Sequence, residues 1–169
     1  MVQMVQMLQT DTSDWLFDEH DRASMRIALE QARLAAERDE VPVGAVITNG
    51  GTIIAQAGNQ RQTIHDPSAH AEILVLRRAG EKLHDWRLET STLYVTLEPC
   101  PMCIAACRQA RLALVIWGAT DPVMGACGTR IDLAEDQRLG PPLAHRGGLY
   151  AEESREILTS FFAKKRKSS

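Results

Sequence analysis

Two short motifs in this chain carry residues able to hold a metal and move protons: His70-Ala71-Glu72 and Pro99-Cys100-Pro101-Met102-Cys103. Histidine and two cysteines are good zinc ligands, and three protein ligands leave one tetrahedral position for water, the mark of a catalytic rather than a structural site. Water in such a position becomes a nucleophile near neutral pH. Cys100 and Cys103 are three residues apart, so on the first turn of a helix they share a face. The free N–H groups and the dipole of that turn favour thiolates. His70 and Glu72 are two apart and in mid-helix would point away from each other. At a helix N-terminus, a metal lying off the end is within reach of both. The spacing therefore predicts two helix N-termini facing one zinc. A zinc with two thiolates and a neutral imidazole is formally neutral and acidifies water less than one held by three imidazoles. A carboxylate base is then required. Glu72 is the expected base, taking the proton from water and returning it to the leaving group. The chemistry expected is a metal-assisted hydrolysis.

These residues need elements to position them. Met25, Ala28, Leu29, Ala32, Ala35 and Ala36 recur at helical spacing and predict a first helix over about 22–38. Val41 to Thr48 and Thr52 to Ala57 are β-rich and flank Asn49-Gly50-Gly51, a strong hairpin signal. A loop follows over 58–65. Asp66 as N-cap and Pro67 at the first position predict a helix running to about Ala79 and stopping at Gly80. Leu93 to Leu97 reads as a strand, Pro101 to about Ala110 as a helix, and Ala113 to Trp117 as a strand. A glycine-containing loop covers 121–128. The stretch 129–150 has little pattern beyond a short strand within Leu143 to Leu149. The last helix spans about 151–164, with Glu152 and Glu153 in its first turn and Lys164 to Lys167 at its end, a polarity that suits the dipole. Strands alternating with helices after a hairpin indicate an α/β layered domain with a mixed sheet. Residues 1–20 read as a flexible extension, and residues 21–169 as a single domain.

Composition sets the outer bounds. A chain of 169 residues with 44% apolar and 24% charged residues makes one ordinary globular domain rather than a disordered chain. Its net charge of −3 does not announce a nucleic-acid binder, so any RNA contact needs a local basic patch. Four cysteines are too sparse for a disulfide framework. No apolar run reaches membrane-spanning length, and Met1 to Thr10 has neither the basic start and apolar core of a signal peptide nor the composition of a transit peptide. The expected location is the cytoplasm.

Other readings of the same residues stand beside this one. A Cys-x-x-Cys is often a redox pair or half of a closed structural zinc site, in which case His-x-Glu is a coincidence. Cys107 lies four residues beyond Cys103 on the same helix face and is the best candidate for a fourth ligand; its alternative is a small apolar core residue. Cys127 and the remaining histidines offer weaker candidates: Cys127 has no assigned role, and His20, His65, His84 and His145 are expected on the surface or in loops.

The two motifs match the signature of zinc deaminases acting on nucleobases. With Glu40-Val41-Pro42-Val43-Gly44-Ala45-Val46, the run His65 to Ile73, the run Leu93 to Cys103, Trp117-Gly118-Ala119 and Gly125-Ala126, the chain resembles the bacterial-type tRNA-specific adenosine deaminase family over about residues 22–167. That resemblance implies a cytidine deaminase-like three-layer sandwich, a mixed five-stranded sheet flanked by helices. It implies one zinc ion per subunit, a homodimer, and hydrolysis of adenosine to inosine at the wobble position of a tRNA anticodon stem-loop. It places at Asn59 an amide that hydrogen-bonds the flipped base; an amide does offer a purine edge both donor and acceptor, and the alternative is a turn residue after Gly58. At the C-terminus, Phe161-Phe162 and the following Lys164, Lys165, Arg166 and Lys167 resemble the family's RNA-contacting helix. Phe162 would stack on a base, and Lys165 and Arg166 would hold phosphates. The alternative is that Ile157, Leu158, Phe161 and Phe162 form a core stripe and the cations a solvated end. Asp121 is a candidate partner for a ribose hydroxyl. Val123 stands where the family often has lysine, which removes one phosphate contact and leaves the catalytic set untouched. The rival functions are deamination of a free guanine, cytosine or nucleoside, and a non-catalytic zinc-dependent RNA-binding module. The basic end favours RNA over the first, and Glu72 argues against the second.

Overall fold

The computed structural model describes residues 16–168. Of the extension expected over 1–20, residues 1–15 lie outside the described residues. Residues 16–20 are part of the fold. Phe17 is buried, and Asp18 caps helix α1 (Glu19–Glu37) in a reciprocal box: its side chain accepts from Asp21 N at 2.8 Å, while Asp21 accepts from Asp18 N at 3.1 Å. That box starts the helix three residues earlier than periodicity alone suggests.

Strands β1 (Gly44–Asn49) and β2 (Thr52–Gly58) form the expected hairpin, with Gly50 and Gly51 both at positive φ as a tight primed turn requires. Strands β3 (Ser91–Leu97), β4 (Leu114–Ala119) and β5 (His145–Gly147) complete a mixed five-stranded sheet of order β2-β1-β3-β4-β5. β1 runs antiparallel to β2 and β3, while β3, β4 and β5 are mutually parallel neighbours. Side chains alternate between the two faces. Val46, Tyr94 and Ile116 point into one core with Met25 and Ala28 of α1; Ala45, Ile47, Leu93, Val95, Val115 and Trp117 point into the other. The second core is closed by α2 (Ala71–Leu83) and α3 (Pro101–Gln109). The last helix, α4 (Ala151–Ser168), packs on β4 and against α1, where Arg33 pairs with Glu153. The result is the three-layer sandwich. Helix α1 lies so close to the hairpin that a Cβ on Gly44 would meet Ala28 O at 1.9 Å, so glycine is required there.

Two expectations for α2 change. Asp66 does not cap it. Its carboxylate accepts from Ser68 N at 2.8 Å and Ser68 Oγ at 2.7 Å, a local turn that occupies the side chain and delays the helix to Ala71. Nor does Gly80 end it. The helix runs on to Leu83 and closes with His84 in the left-handed conformation, its N–H bonded to Glu81 O and that of Asp85 to Gly80 O. The stretch 129–150 holds a Cys127–Asp132 bridge and a short 3-10 turn over Gln137–Leu139 before β5. His145 sits half-buried in that strand, 3.7 Å from Glu135, rather than on the surface. No helix among the described residues is long and apolar enough to cross a membrane.

Candidate active site

The site lies at the carboxyl ends of the parallel strands β3 and β4, where an open α/β sheet leaves a crevice. The chain leaves β3 at Leu97, passes Glu98 and Pro99, and enters α3 with Cys100 as N-cap and Pro101 at the first helical position. His70 is the N-cap of α2. Neither side chain caps its own helix. Both turn to a common point instead, so each helix starts without the usual oxygen acceptor. Helix α2 receives one from elsewhere: Asn59 Oδ1 accepts from Ala71 N at 2.8 Å.

His70 Nδ1 lies 3.7 Å from Cys100 Sγ and 3.5 Å from Cys103 Sγ, and the sulfurs are 3.6 Å apart. Zinc bond lengths with tetrahedral angles require about 3.8 Å between two sulfurs and about 3.6 Å between sulfur and nitrogen. The triangle therefore has the size that a tetrahedral ion needs, with Nδ1 as the histidine donor. Among the described residues these three are the group able to hold a metal. Cys107 does not join them; it is fully buried in the core, as its apolar alternative has it, and Cys127 packs in that core too. All four cysteines are free thiols, so the Cys-x-x-Cys is not a disulfide.

Charge follows from this packing. The hydrogen bond between the two sulfurs is the largest influence on Cys100; with the help of His70 it pulls that thiol down to about 4. Cys103 is pushed up by the same hydrogen bond and by burial, and His70 is raised chiefly by its bond to Cys100. The three groups thus share protons that a dication would replace. Glu72 is 4% exposed, and burial raises its carboxyl above the ordinary range. Its Oε2 is buried without a hydrogen-bond partner. A buried carboxylate oxygen left unpaired in a folded chain points to an absent cation or polar ligand, and the fit of the donor triangle beside it points the same way.

A cavity of about 310 Å³ opens on these groups, walled by Val41, Val43, Asn59, Arg61, Leu97, Glu98, Asp121 and Met124 besides the reactive residues. Asn59 is 5% exposed, and with Oδ1 committed to α2 its amide nitrogen is what it has to offer a ligand. It is not a turn residue: its backbone N–H bonds to Val43 O. Asp121 uses Oδ1 to accept from Val123 N and Met124 N at 2.9 and 3.1 Å and lines the cavity. A second hollow of about 670 Å³ shares Val41, Leu97 and Asp121 with the first and extends to Leu158, Phe162 and Arg166 of α4. Phe162 is 44% exposed and meets Phe161 edge-to-face, so it stands outside the buried core. Lys165 is placed differently. It pairs with Asp39 and lies over the Phe161 ring, away from the hollow. Val123 is exposed on the loop that separates the two hollows.

Glu98 and Glu40 escape a sequence reading. Both are carboxylates at 2% exposure or less. Burial would raise Glu40, but hydrogen bonds from Thr63 N and Oγ1 overcome it and hold the carboxyl low, pinning the loop that carries Arg61. The available signal is only position: Glu98 ends the run Leu93 to Leu97 beside Pro99, and Glu40 directly precedes the run that begins at Val41.

A sheet of this order with a His/Cys/Cys triangle facing a buried glutamate across two helix N-termini defines a deaminase of the cytidine deaminase-like fold. The MafB19-like deaminase family model matches residues 19–166. The tRNA-specific adenosine deaminase of Bacillus subtilis is 44% identical over 147 residues, 87% of this chain and 91% of that protein. That of Agrobacterium fabrum is 45% identical over 147 residues, 84% of this chain and 93% of that one. A solved structure from work on A-to-I editing by tRNA:A34 deaminases superimposes with a TM-score of 0.78 at 44% identity, over 80% of this chain and 99% of its own. The chain belongs to the tRNA-specific adenosine deaminase family.

Proposed function

We propose that this protein converts adenosine to inosine at the wobble position of a tRNA anticodon, with one zinc ion per subunit held by His70 Nδ1, Cys100 and Cys103. The observation that carries the chemistry is the unpartnered, buried Oε2 of Glu72 beside a metal-sized donor triangle. The substrate is supported by the relatives named above, which are tRNA adenosine deaminases, and by the groove running from the cavity to α4. Zinc bound there supplies the Lewis acidity that makes water a nucleophile near neutral pH. Glu72 holds and moves the protons. It takes one from the attacking water and delivers it to N1 of the purine as the oxygen bonds to C6. It then passes the second to the exocyclic nitrogen as the C6–N bond breaks and ammonia leaves. The Asn59 amide orients the base, and the walls of the cavity exclude bulk water. Phe162 and Arg166 hold the RNA beside it, and Asp121 Oδ2 takes a ribose hydroxyl. Assembly as a homodimer belongs to the same proposal and rests on the family resemblance, and the expected setting is the cytoplasm.

Inosine formation and ammonia release on an anticodon stem-loop with a wobble adenosine, beside free adenine, guanine and cytosine, test this directly. Turnover of the stem-loop alone is expected; ammonia from a free base alone would move the protein to nucleobase salvage. Zinc with no ammonia release from any of them would support the RNA-binding module instead.

The basic end gives a separate expectation. Replacing Lys164, Lys165, Arg166 and Lys167 together by alanine should weaken stem-loop binding and flatten its salt dependence, by about 0.7 in log–log slope for each phosphate no longer neutralised. Arg166→Ala alone should account for more of this than Lys165→Ala, because Asp39 already matches the Lys165 charge. Equal affinity at every salt concentration would remove the patch from the binding surface.

A further inference from the structure

We infer that Glu98 is a positioning residue that sets the substrate-facing wall of the active site by bracing the loop over residues 121–129. The inference rests on the reading of the cavity as the site of a flipped base. Glu98 is 1% exposed, stands between the end of β3 and Cys100, and has no place in the proton transfers described above. Among the described residues its carboxylate is engaged by the loop alone: Oε2 accepts from Asp121 N at 3.0 Å, and Oε1 from Cys127 N at 3.0 Å and Thr129 N at 3.2 Å. The three donors come from both ends of the loop, so one side chain closes it like a clasp. Backbone bonds fasten the same junction, from Glu98 N to Ala119 O and from Ala126 N to Pro99 O. Gly125 completes the fit. A Cβ there would lie 2.4 Å from Glu98 Oε2 and 2.5 Å from Asp121 O, so the loop can sit on the carboxylate only if this residue is glycine.

The braced loop bears Asp121 and Met124, which wall the catalytic cavity, and Pro122 and Val123, which wall the neighbouring hollow. Glu98 also directly precedes the Pro99-Cys100 entry to α3. One buried carboxylate thereby ties the ligand-bearing segment to the substrate-facing segment and fixes the width between them. Hydrogen bonds to a charged acceptor are the strong ones, and three from rigid backbone donors leave this carboxylate little freedom.

Glu98→Gln keeps the shape and changes the pattern. In its better orientation the amide oxygen still accepts from Cys127 and Thr129, but the amide nitrogen faces the Asp121 N–H, donor against donor. The Asp121 end of the loop is then released. The expected result is bound zinc unchanged, with KM for the stem-loop raised about tenfold, the factor that about 1.4 kcal/mol represents; kcat should change less than KM. Gly125→Ala forces the loop off the same carboxylate and should raise KM similarly. The double variant should show far less than the product of the two effects, because both act through one contact. Ile116→Val, a buried change in the opposite core, serves as a destabilised control whose KM should not move. An unchanged KM in both loop variants, or multiplicative effects in the double variant, would overturn the inference. An inactive wild-type protein on the stem-loop would instead sink the substrate reading, and the two failures are distinct.

Discussion

Glu72→Gln is expected to lower single-turnover inosine formation by between about a hundredfold and about ten-thousandfold, the range of a general acid–base group, while zinc stays stoichiometric. The glutamate is almost fully buried, and Oε2 makes no hydrogen bond. A group in that position contributes nothing to packing that an isosteric amide cannot supply. What glutamine cannot do is accept and return a proton. Metal content and rate measured on the same sample check the assignment, and loss of zinc in the variant would contradict it. The same change has the opposite effect on the metal-free protein. Burial raises the Glu72 carboxyl in the fold, so the folded state holds that proton more tightly than the unfolded chain does. The resulting penalty is absent below about 4.3, the ordinary glutamate value, and grows as pH rises toward the raised folded value. Metal-free Glu72→Gln should therefore melt higher than the metal-free wild type at neutral pH, and the difference should vanish in acid.

Removal of the ion should have an effect as large. Either chelation or Cys103→Ser is expected to abolish turnover, to lower the melting temperature, and, for the chelated protein alone, to be reversed by added zinc. Cys103 is fully buried at the third position of α3, so no other side chain can take its place without moving the helix. Structural coupling follows because an ion bound by the folded state and not by the unfolded chain stabilises the fold by mass action. The pH dependence has a definite sign. The hydrogen bond with Cys103 and the contact with His70 pull the Cys100 thiol down to about 4. In the metal-free protein a depressed thiol contributes stability that is complete above its unfolded value of about 8.5 and is lost as pH falls through about 4. Protons compete with the metal at His70 and Cys103 well before that. Titrating the loaded enzyme downward in the presence of a zinc-sensitive dye should show release in acid together with loss of activity. Full activity in a variant shown to be free of metal would refute the role of the triangle.

Much of this molecule is written locally. Periodicity places the helices and strands, and Asn49-Gly50-Gly51 closes the hairpin because its glycines take positive φ wherever the chain leads. The ligand set is also local in its halves: Cys100 and Cys103 share a helical turn, and His70 and Glu72 share a helix start. The spacing shows that each half suits a metal. What the sequence does not contain is the meeting of the halves, thirty residues apart, or the choice of Nδ1, which depends on how the two N-termini are aimed by the sheet. Local signals fail where a side chain is claimed from a distance or by a near neighbour in an unexpected way. Asp66 reads as a helix cap but is taken by Ser68; the amide of Asn59 does the capping, twelve residues away. Lys165, expected at the RNA surface, also pairs with Asp39, more than a hundred residues earlier in the chain, a contact that no local spacing announces. Glu98 carries no local signal of its own, yet it is buried and clasps a loop 23 to 31 residues downstream. Charged side chains carry no periodicity of their own, so their burial is decided only when the strands have paired and the loops have closed over them. Residue types and short spacings determine what chemistry this chain can do. The tertiary structure decides which carboxylate keeps an unpaired oxygen to do it and which are consumed in holding the site together.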